Sequence, residues 1–223
     1  MPAFAGVTVD LDPDRTLALS YIPAARREAV QALWQLDVVL GNVLAGGREP
    51  LISQIKLAWW REALEKLDCE RAPSEPVLLA LAEHVLTGGI RGVELAEMEE
   101  GWSLLLAPDL LGEVELGRYA AARGGVLFRL TARLLGGDPP DPAAGEAWAL
   151  ADLARHSSSP GDVEAALAAA RRTPAPRWPS RLRPLGMLDA LARRDCEPGR
   201  PRWEPQGSPR RMLRMLRHRL SGL

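Results

Sequence analysis

Apolar residues recur at intervals of three and four along almost the whole chain, which places them on one face of a helix. In the first long segment these positions are Val30, Leu33, Trp34 and Val38, and the segment ends at Gly46. No run of alternating β-branched residues bounded by turn residues interrupts the pattern. The sequence therefore predicts an all-α fold.

Prolines and glycines mark the boundaries of the remaining predicted helices. After the first segment, which follows Pro23, these helices cover about residues 50–67, 76–87, 92–106, 113–135, 143–156, 162–172, 180–194 and 209–220. Asp162 is the predicted cap of the helix that ends near Arg172. The GGDPPDP segment is a turn between two amphipathic helices. We therefore expect one domain over residues 1–223, with a tail at 1–13 and a basic amphipathic helix at 209–221.

The composition is that of an ordinary water-soluble protein, with 47% apolar and 26% charged residues. The sequence contains no run of 18 or more apolar residues, the length needed to span a membrane. The N-terminus lacks the basic and apolar regions of a signal peptide. The two cysteines, Cys69 and Cys196, lie far apart without histidines at ligand spacing. We expect a cytoplasmic protein without a disulfide framework or a zinc site.

Charge is distributed unevenly between the two ends of the chain. Residues 1–170 contain 14 basic and 25 acidic side chains, whereas residues 171–223 contain 14 arginines and four acids. This C-terminal region either lies on the acidic body or faces an anionic partner such as a membrane surface, and we expect the former. Nucleic-acid binding is disfavoured because the basic residues are confined to this region and no aromatic platform accompanies them.

The C-terminal helix is amphipathic. At 100° per residue, its basic and apolar side chains separate onto two arcs. The basic arc holds Arg210, Arg211, Arg214, Arg217 and His218, and the apolar arc holds Met212, Leu213, Met215, Leu216 and Leu220.

The common catalytic signatures are missing: there is no phosphate-binding glycine loop, no G-x-S-x-G and no H-E-x-x-H. An ordered set of segments is more informative. They are DPDRTLALSYIPAARREAVQALWQLDVVL, REPLISQIKLAWWREALEKLD, GWSLLL, GRYAAARGGVLFRLTARLLGG, AWALADLARH and WPSRLRPLGMLDALARRD. In this order, from Asp14 to Asp195, the set resembles the squalene/phytoene synthase family, whose members join two prenyl diphosphates head to head.

The resemblance implies a truncated isoprenoid synthase-type helical bundle around a central cavity. Family catalysts carry two acidic motifs on two helices, and aspartates four residues apart hold the Mg²⁺ ions that bind diphosphate. The first motif falls here on Gly41, Asn42 and Ala45, and nearby Asp37 has Gly41 as its i+4 partner. Gly41 and Ala45 have no side chain that can bind a metal.

The second motif falls on Asp152, Arg155, His156 and Pro160, so that both of its aspartates are replaced. Mg²⁺ strongly prefers oxygen ligands, which makes His156 a poor substitute. Both metal sites are therefore predicted to be lost, leaving no catalytic residue, metal or cofactor to assign.

Other family cavity positions persist. The candidate ligand-binding residues are Tyr119, Arg123, Asp152 and Arg155. For Tyr119 and the glycines after Arg123 we expect helix packing with the tyrosine half-buried, and Arg155 either holds an anion or pairs with Asp152 or the glutamates of helix 92–106. Those glutamates (Glu94, Glu97, Glu99 and Glu100) are expected to form a solvated face, and Asp10, Asp12 and Asp14 to act as caps and surface charges.

Three hypotheses follow. In the first, the chain is non-catalytic and binds a partner protein or a prenyl-type ligand, since it most resembles a family branch that includes an assembly factor of mitochondrial respiratory complex I. In the second, it is a divergent squalene or phytoene synthase of isoprenoid biosynthesis that binds Mg²⁺ through other acids. In the third, it is a membrane-peripheral adaptor, located on the inner membrane face, that works through its basic C-terminal helix.

Overall fold

We describe a computed structural model of the 223-residue chain, which covers residues 9–46, 49–106, 111–199 and 203–222. These residues form eleven α-helices with short π and 3₁₀ turns and contain no strand. The α-helices are α1 (Pro13–Ser20), α2 (Ala24–Ala45), α3 (Pro50–Lys66), α4 (Pro76–Ala80), α5 (Gly92–Leu104), α6 (Glu113–Ala120), α7 (Val126–Leu134), α8 (Glu146–His156), α9 (Pro160–Arg172), α10 (Arg183–Asp195) and α11 (Pro209–Ser221). The all-α prediction is confirmed. Within the described ranges, no helix is both long and apolar enough to cross a bilayer.

Helix α2 lies at the centre of the core. Its side chains Leu33, Trp34, Leu36 and Leu40 are fully buried, and it contacts α3, α5 and α7. The indole Nε1 of Trp34 donates a hydrogen bond of 3.0 Å to the hydroxyl of Thr131 on α7. Side chains on the remaining face of α2 are therefore free to border a cavity.

The predicted helix over 113–135 is continuous but contains a π turn at Ala121–Gly125, between α6 and α7. Such turns change the direction of side chains and often occur at functional sites. Here the turn contains Arg123. Next to it, α8 approaches so closely that a Cβ on Gly124 would lie 2.2 Å from the carbonyl oxygen of Gly145. The predicted glycine-mediated packing is thus present, but Tyr119 is fully buried and not half-buried.

Two expectations about helix starts differ from the structure. Ser159, not Asp162, caps α9, because its hydroxyl accepts a hydrogen bond from the backbone N–H of Asp162. Asp12 caps α1 as expected. Asp14, expected to be a surface charge, is buried because the guanidinium of Arg211 covers it.

Helix α11 docks on α10 and α1, which agrees with docking on the body. The docked face of α11 does not coincide with its apolar arc. The buried residues are Arg211, Met215 and His218, whereas Leu213 and Leu220 on the apolar arc are exposed. The reason is electrostatic, since the body offers carboxylates to Arg211.

Candidate functional site

A cavity of about 780 Å³ opens beside α2, α5, the π turn and α8. Part of its wall is apolar, which suits a hydrocarbon ligand. The apolar lining residues are Leu11, Val38, Leu44, Trp102, Leu105, Leu111 and Leu153. The rest of the wall carries charged side chains, and their partners determine what the cavity can bind.

Arg123 joins the two principal helices of the cavity wall. Its Nε donates to Oδ1 of Asp37 on α2 at 2.8 Å, and one of its terminal nitrogens donates to the other oxygen at 3.0 Å. That terminal nitrogen also lies 2.7 Å from a carboxylate oxygen of Asp152 on α8. Arg123 and Asp37 are almost completely buried, whereas the side chain of Asp152 is 16% exposed. The guanidinium therefore pairs with both acids, although its single charge balances only one of them.

A second guanidinium strengthens this cluster. Arg15 on α1 donates to Asp37 at 3.0 Å and pairs with Asp12 at 2.8 Å. Its Cζ lies 5.0 Å from the ring centre of Trp148, within the range of cation–π attraction. Asp37 is therefore held by two arginines.

Three aromatic side chains surround the guanidinium of Arg123, and one of them is Trp148, whose ring centre lies 4.9 Å from Cζ. The hydroxyl of Tyr119 accepts a hydrogen bond from Arg123, and burial raises the pKa of this phenol, so it stays neutral. The ring of Trp102 on α5 lies over the guanidinium, with its centre 4.1 Å from Cζ. Nε and both terminal nitrogens of Arg123 are therefore bound to Asp37, Tyr119 and Asp152.

Trp102 also occupies the space above Gly41. A Cβ at Gly41 would lie 2.8 Å from Cη2 of the indole, closer than real Cβ atoms come to other atoms. Gly41 is one of the positions where the resemblance places a metal-binding aspartate. An aspartate at position 41 would require Trp102 to move. The indole therefore fills the space that the family's aspartate side chain would need.

The pair Asp152 and His156 lies one helical turn apart on α8. Burial alone would raise the pKa of Asp152, but the charge of Arg123 and the hydrogen bond from His156 outweigh it and hold the pKa well below its usual range. The hydrogen bond to Asp152 raises the pKa of His156. Nδ1 of His156 lies 2.9 Å from the backbone oxygen of Asp152 and 3.4 Å from its carboxylate Oδ1. A protonated His156 thus adds a third positive charge beside Asp152.

The remaining predicted motif positions are placed as follows. Asn42, Ala45 and His156 line the cavity, whereas Pro160 is a helix-start residue of α9 and is not among the lining residues. Among the described residues, no group of three or more histidine, cysteine or acidic side chains could hold a metal ion. The two acids that face each other from α2 and α8, Asp37 and Asp152, are both paired with Arg123.

Of the four candidate ligand-binding residues, Tyr119, Arg123 and Asp152 line the cavity. Arg155 does not. It pairs with Asp195 on α10 at 2.9 Å, donates to the backbone oxygen of Glu204 and stacks on the ring of Trp203. The expected pairing of Arg155 with Asp152 or the glutamates is wrong, because the side chain points to the α10 side of α8.

The four glutamates of α5 are paired with arginines rather than gathered around a site. Glu94 pairs with Arg133, Glu97 with Arg129 and Glu100 with Arg118. Glu99 is buried and accepts a hydrogen bond from Ser103 and one from Arg61, so the prediction of a solvated face is wrong for this residue. None of the four is among the cavity residues.

Sequence reasoning missed Arg15 and Trp102 as site residues and treated Asp37 as an incomplete pair. The partner of Asp37 is 86 residues away on another helix, and a search for acids four residues apart cannot find it. A buried aspartate on an apolar helix face was the available signal, because such a charge requires a counter-charge.

A family model supports the resemblance. The squalene/phytoene synthase model matches residues 10–181 of the chain. No curated protein and no solved structure matches the chain significantly.

Proposed function

The chain belongs to the squalene/phytoene synthase family, and we propose that it is a non-catalytic member that holds a prenyl-type ligand in its cavity without metal. The observation that carries this proposal is the bridge from Arg123 to both Asp37 and Asp152. The resemblance implies that family catalysts bind Mg²⁺ through acids on two facing helices, and here the guanidinium of Arg123 already pairs with both acids.

The charges of the cavity favour a ligand that binds through its hydrocarbon chain rather than through a diphosphate. More carboxylates than guanidinium groups line it: Asp10, Asp12, Asp37, Asp152 and Asp162 against Arg15 and Arg123. Since both arginines already bind carboxylates, a metal-free diphosphate would meet no free cation among these arginines and would be repelled by the acids. The apolar part of the ligand then supplies the affinity.

The absence of turnover is tested by incubating the protein with farnesyl or geranylgeranyl diphosphate, Mg²⁺ and a nicotinamide reductant. We expect no condensed C30 or C40 product. Formation of either product at a rate above the protein-free control would refute the non-catalytic assignment.

The ligand site is tested with farnesol binding, followed by tryptophan fluorescence, because Trp102 lies in the cavity wall. Val38→Trp adds bulk to the cavity and should weaken binding at least about tenfold. Gln31→Trp, on the same helix but exposed, is the matched control and should bind like the original protein. Equal affinities of the two variants would place the ligand elsewhere.

A divergent prenyl transferase is the second candidate. It is favoured by one observation, that Asp37 and Asp152 face the cavity from two different helices. It requires Arg123 to release both acids when Mg²⁺ arrives. The product assay above separates the two candidates. The assembly-factor role stays a prediction from the sequence resemblance.

A further inference from the structure

The face of α11 that points away from the body is apolar. Arg211, Met215 and His218 form the docked face and are buried. On the opposite side, Leu213 and Leu220 are 69% and 80% exposed. They lie seven residues apart, which is two helical turns, and therefore form one stripe along the helix.

Arginines border this stripe. Arg210 and Arg217 are exposed on its flank. In the described parts of the chain, neither of them has a carboxylate within ion-pair distance, and α11 itself contains no acid. The acids that face the helix, Asp14 and Asp195, are both bound by Arg211 on the docked side. The outer face is therefore positive as well as apolar.

An amphipathic side chain lies at one end of the same helix. The ring of Tyr21, which is partly exposed, lies under the guanidinium of Arg219, with its centre 5.5 Å from Cζ. Tyrosine suits a boundary between water and an apolar phase because its ring is apolar and its hydroxyl is polar.

We propose that the outer face of α11 docks the protein onto an anionic lipid surface. Leu213 and Leu220 enter the boundary between headgroups and acyl chains, and Arg210 and Arg217 meet the lipid phosphates. The salt bridges of Arg211 hold the helix flat against the body, so that the stripe lies parallel to the membrane plane. A membrane accepts a narrow stripe without a matching shape, which a protein partner would have to provide.

This surface is independent of the cavity. A negative result for membrane docking would therefore leave the non-catalytic assignment unchanged, and the reverse also holds.

The test is co-sedimentation of the full chain with vesicles of phosphatidylcholine containing about a quarter phosphatidylglycerol, compared with pure phosphatidylcholine. We expect binding to the anionic vesicles that decreases as salt is raised. Arg210→Gln with Arg217→Gln should weaken vesicle binding about 25-fold, because each arginine near an anionic surface contributes about fivefold in affinity. Leu213→Ser with Leu220→Ser should weaken it at least about tenfold.

The matched control is Leu51→Ser with Ile55→Ser. These side chains form a stripe of similar exposure on α3, at 66% and 63%, and their loss should leave vesicle binding unchanged. These variants leave Arg211 in place, and circular dichroism checks the fold. Absent or charge-independent vesicle binding would overturn the proposal, as would an equal loss in the control. A dimer in sedimentation velocity that the Leu213/Leu220 variant dissociates would also overturn it, because the stripe would then be covered by a second copy.

Discussion

Replacing Arg123 by methionine should destabilise the protein strongly. Methionine keeps much of the side-chain volume but removes every hydrogen bond to Asp37 and Asp152. Asp37 retains Arg15 at 3.0 Å, whereas Asp152, among the residues that the structure describes, retains His156 at 3.4 Å. Leaving buried charges without their partner costs about 3–5 kcal/mol. For a chain of this size each kcal/mol lowers the melting temperature by about 2–4 °C, so we expect a fall of roughly 10 °C.

The assay is urea unfolding followed by circular dichroism, with Arg129→Met as the matched control. Arg129 lies on the same continuous helix and pairs with Glu97 at the surface, so its loss should cost less than about 1 kcal/mol. A loss below about 1 kcal/mol for Arg123→Met would refute the argument that this guanidinium neutralises buried acids.

The difference in the free energy of unfolding between the original protein and the Arg123→Met variant should depend on pH. In the original protein the pKa of Asp152 is held well below its usual range. A lowered carboxyl pKa stabilises the fold above the unfolded pKa, near 3.9, and this contribution is lost only as the pH falls through the folded pKa. Without the charge of Arg123, burial raises the pKa of Asp152, so mild acid protonates this carboxyl. The free-energy gap between the two proteins should therefore narrow between about pH 7 and pH 5.

Three further predictions concern packing, docking and titration. Gly124→Ala should destabilise the protein because its Cβ would lie 2.2 Å from a backbone oxygen, whereas Gly117→Ala, with open space around it, should stabilise it by about 0.5–1 kcal/mol in the same unfolding assay. Arg211→Met should cost about 3 kcal/mol and make α11 cleavable in limited proteolysis, and the exposed neighbour Arg210→Met should do neither. The NMR-measured pKa of His156 should lie above the ordinary value of about 6.5; a value at or below this would contradict its contact with a carboxylate.

The helices were predictable because their apolar spacing is local information. The π turn at Ala121–Gly125 was not predictable. It adds one residue to a single turn, and the apolar spacing within α6 and within α7 is helical with or without that residue. The sequence also made no prediction of which face of α11 docks. Hydrophobic arcs ignore the gain from neutralising Asp14 and Asp195, which directs Arg211 inward.

The candidate site was predictable in part. Tyr119, Arg123 and Asp152 come together at the cavity because two of them lie one turn apart on one helix and the third lies on the helix packed against it. Arg155 was assigned to the same site as Asp152. Three residues along a helix place the two side chains only about 60° apart, but the carboxylate of Asp195 attracts the guanidinium of Arg155 towards α10.

The central claim is that a guanidinium has taken the place of metal between α2 and α8. Calorimetric titration with farnesyl thiodiphosphate, in the presence and absence of Mg²⁺, tests it most directly. We predict that binding is absent or that its dissociation constant changes less than about threefold when Mg²⁺ is added, because Asp37 and Asp152 are already paired with arginines. Affinity that tightens tenfold or more with Mg²⁺ would contradict the claim.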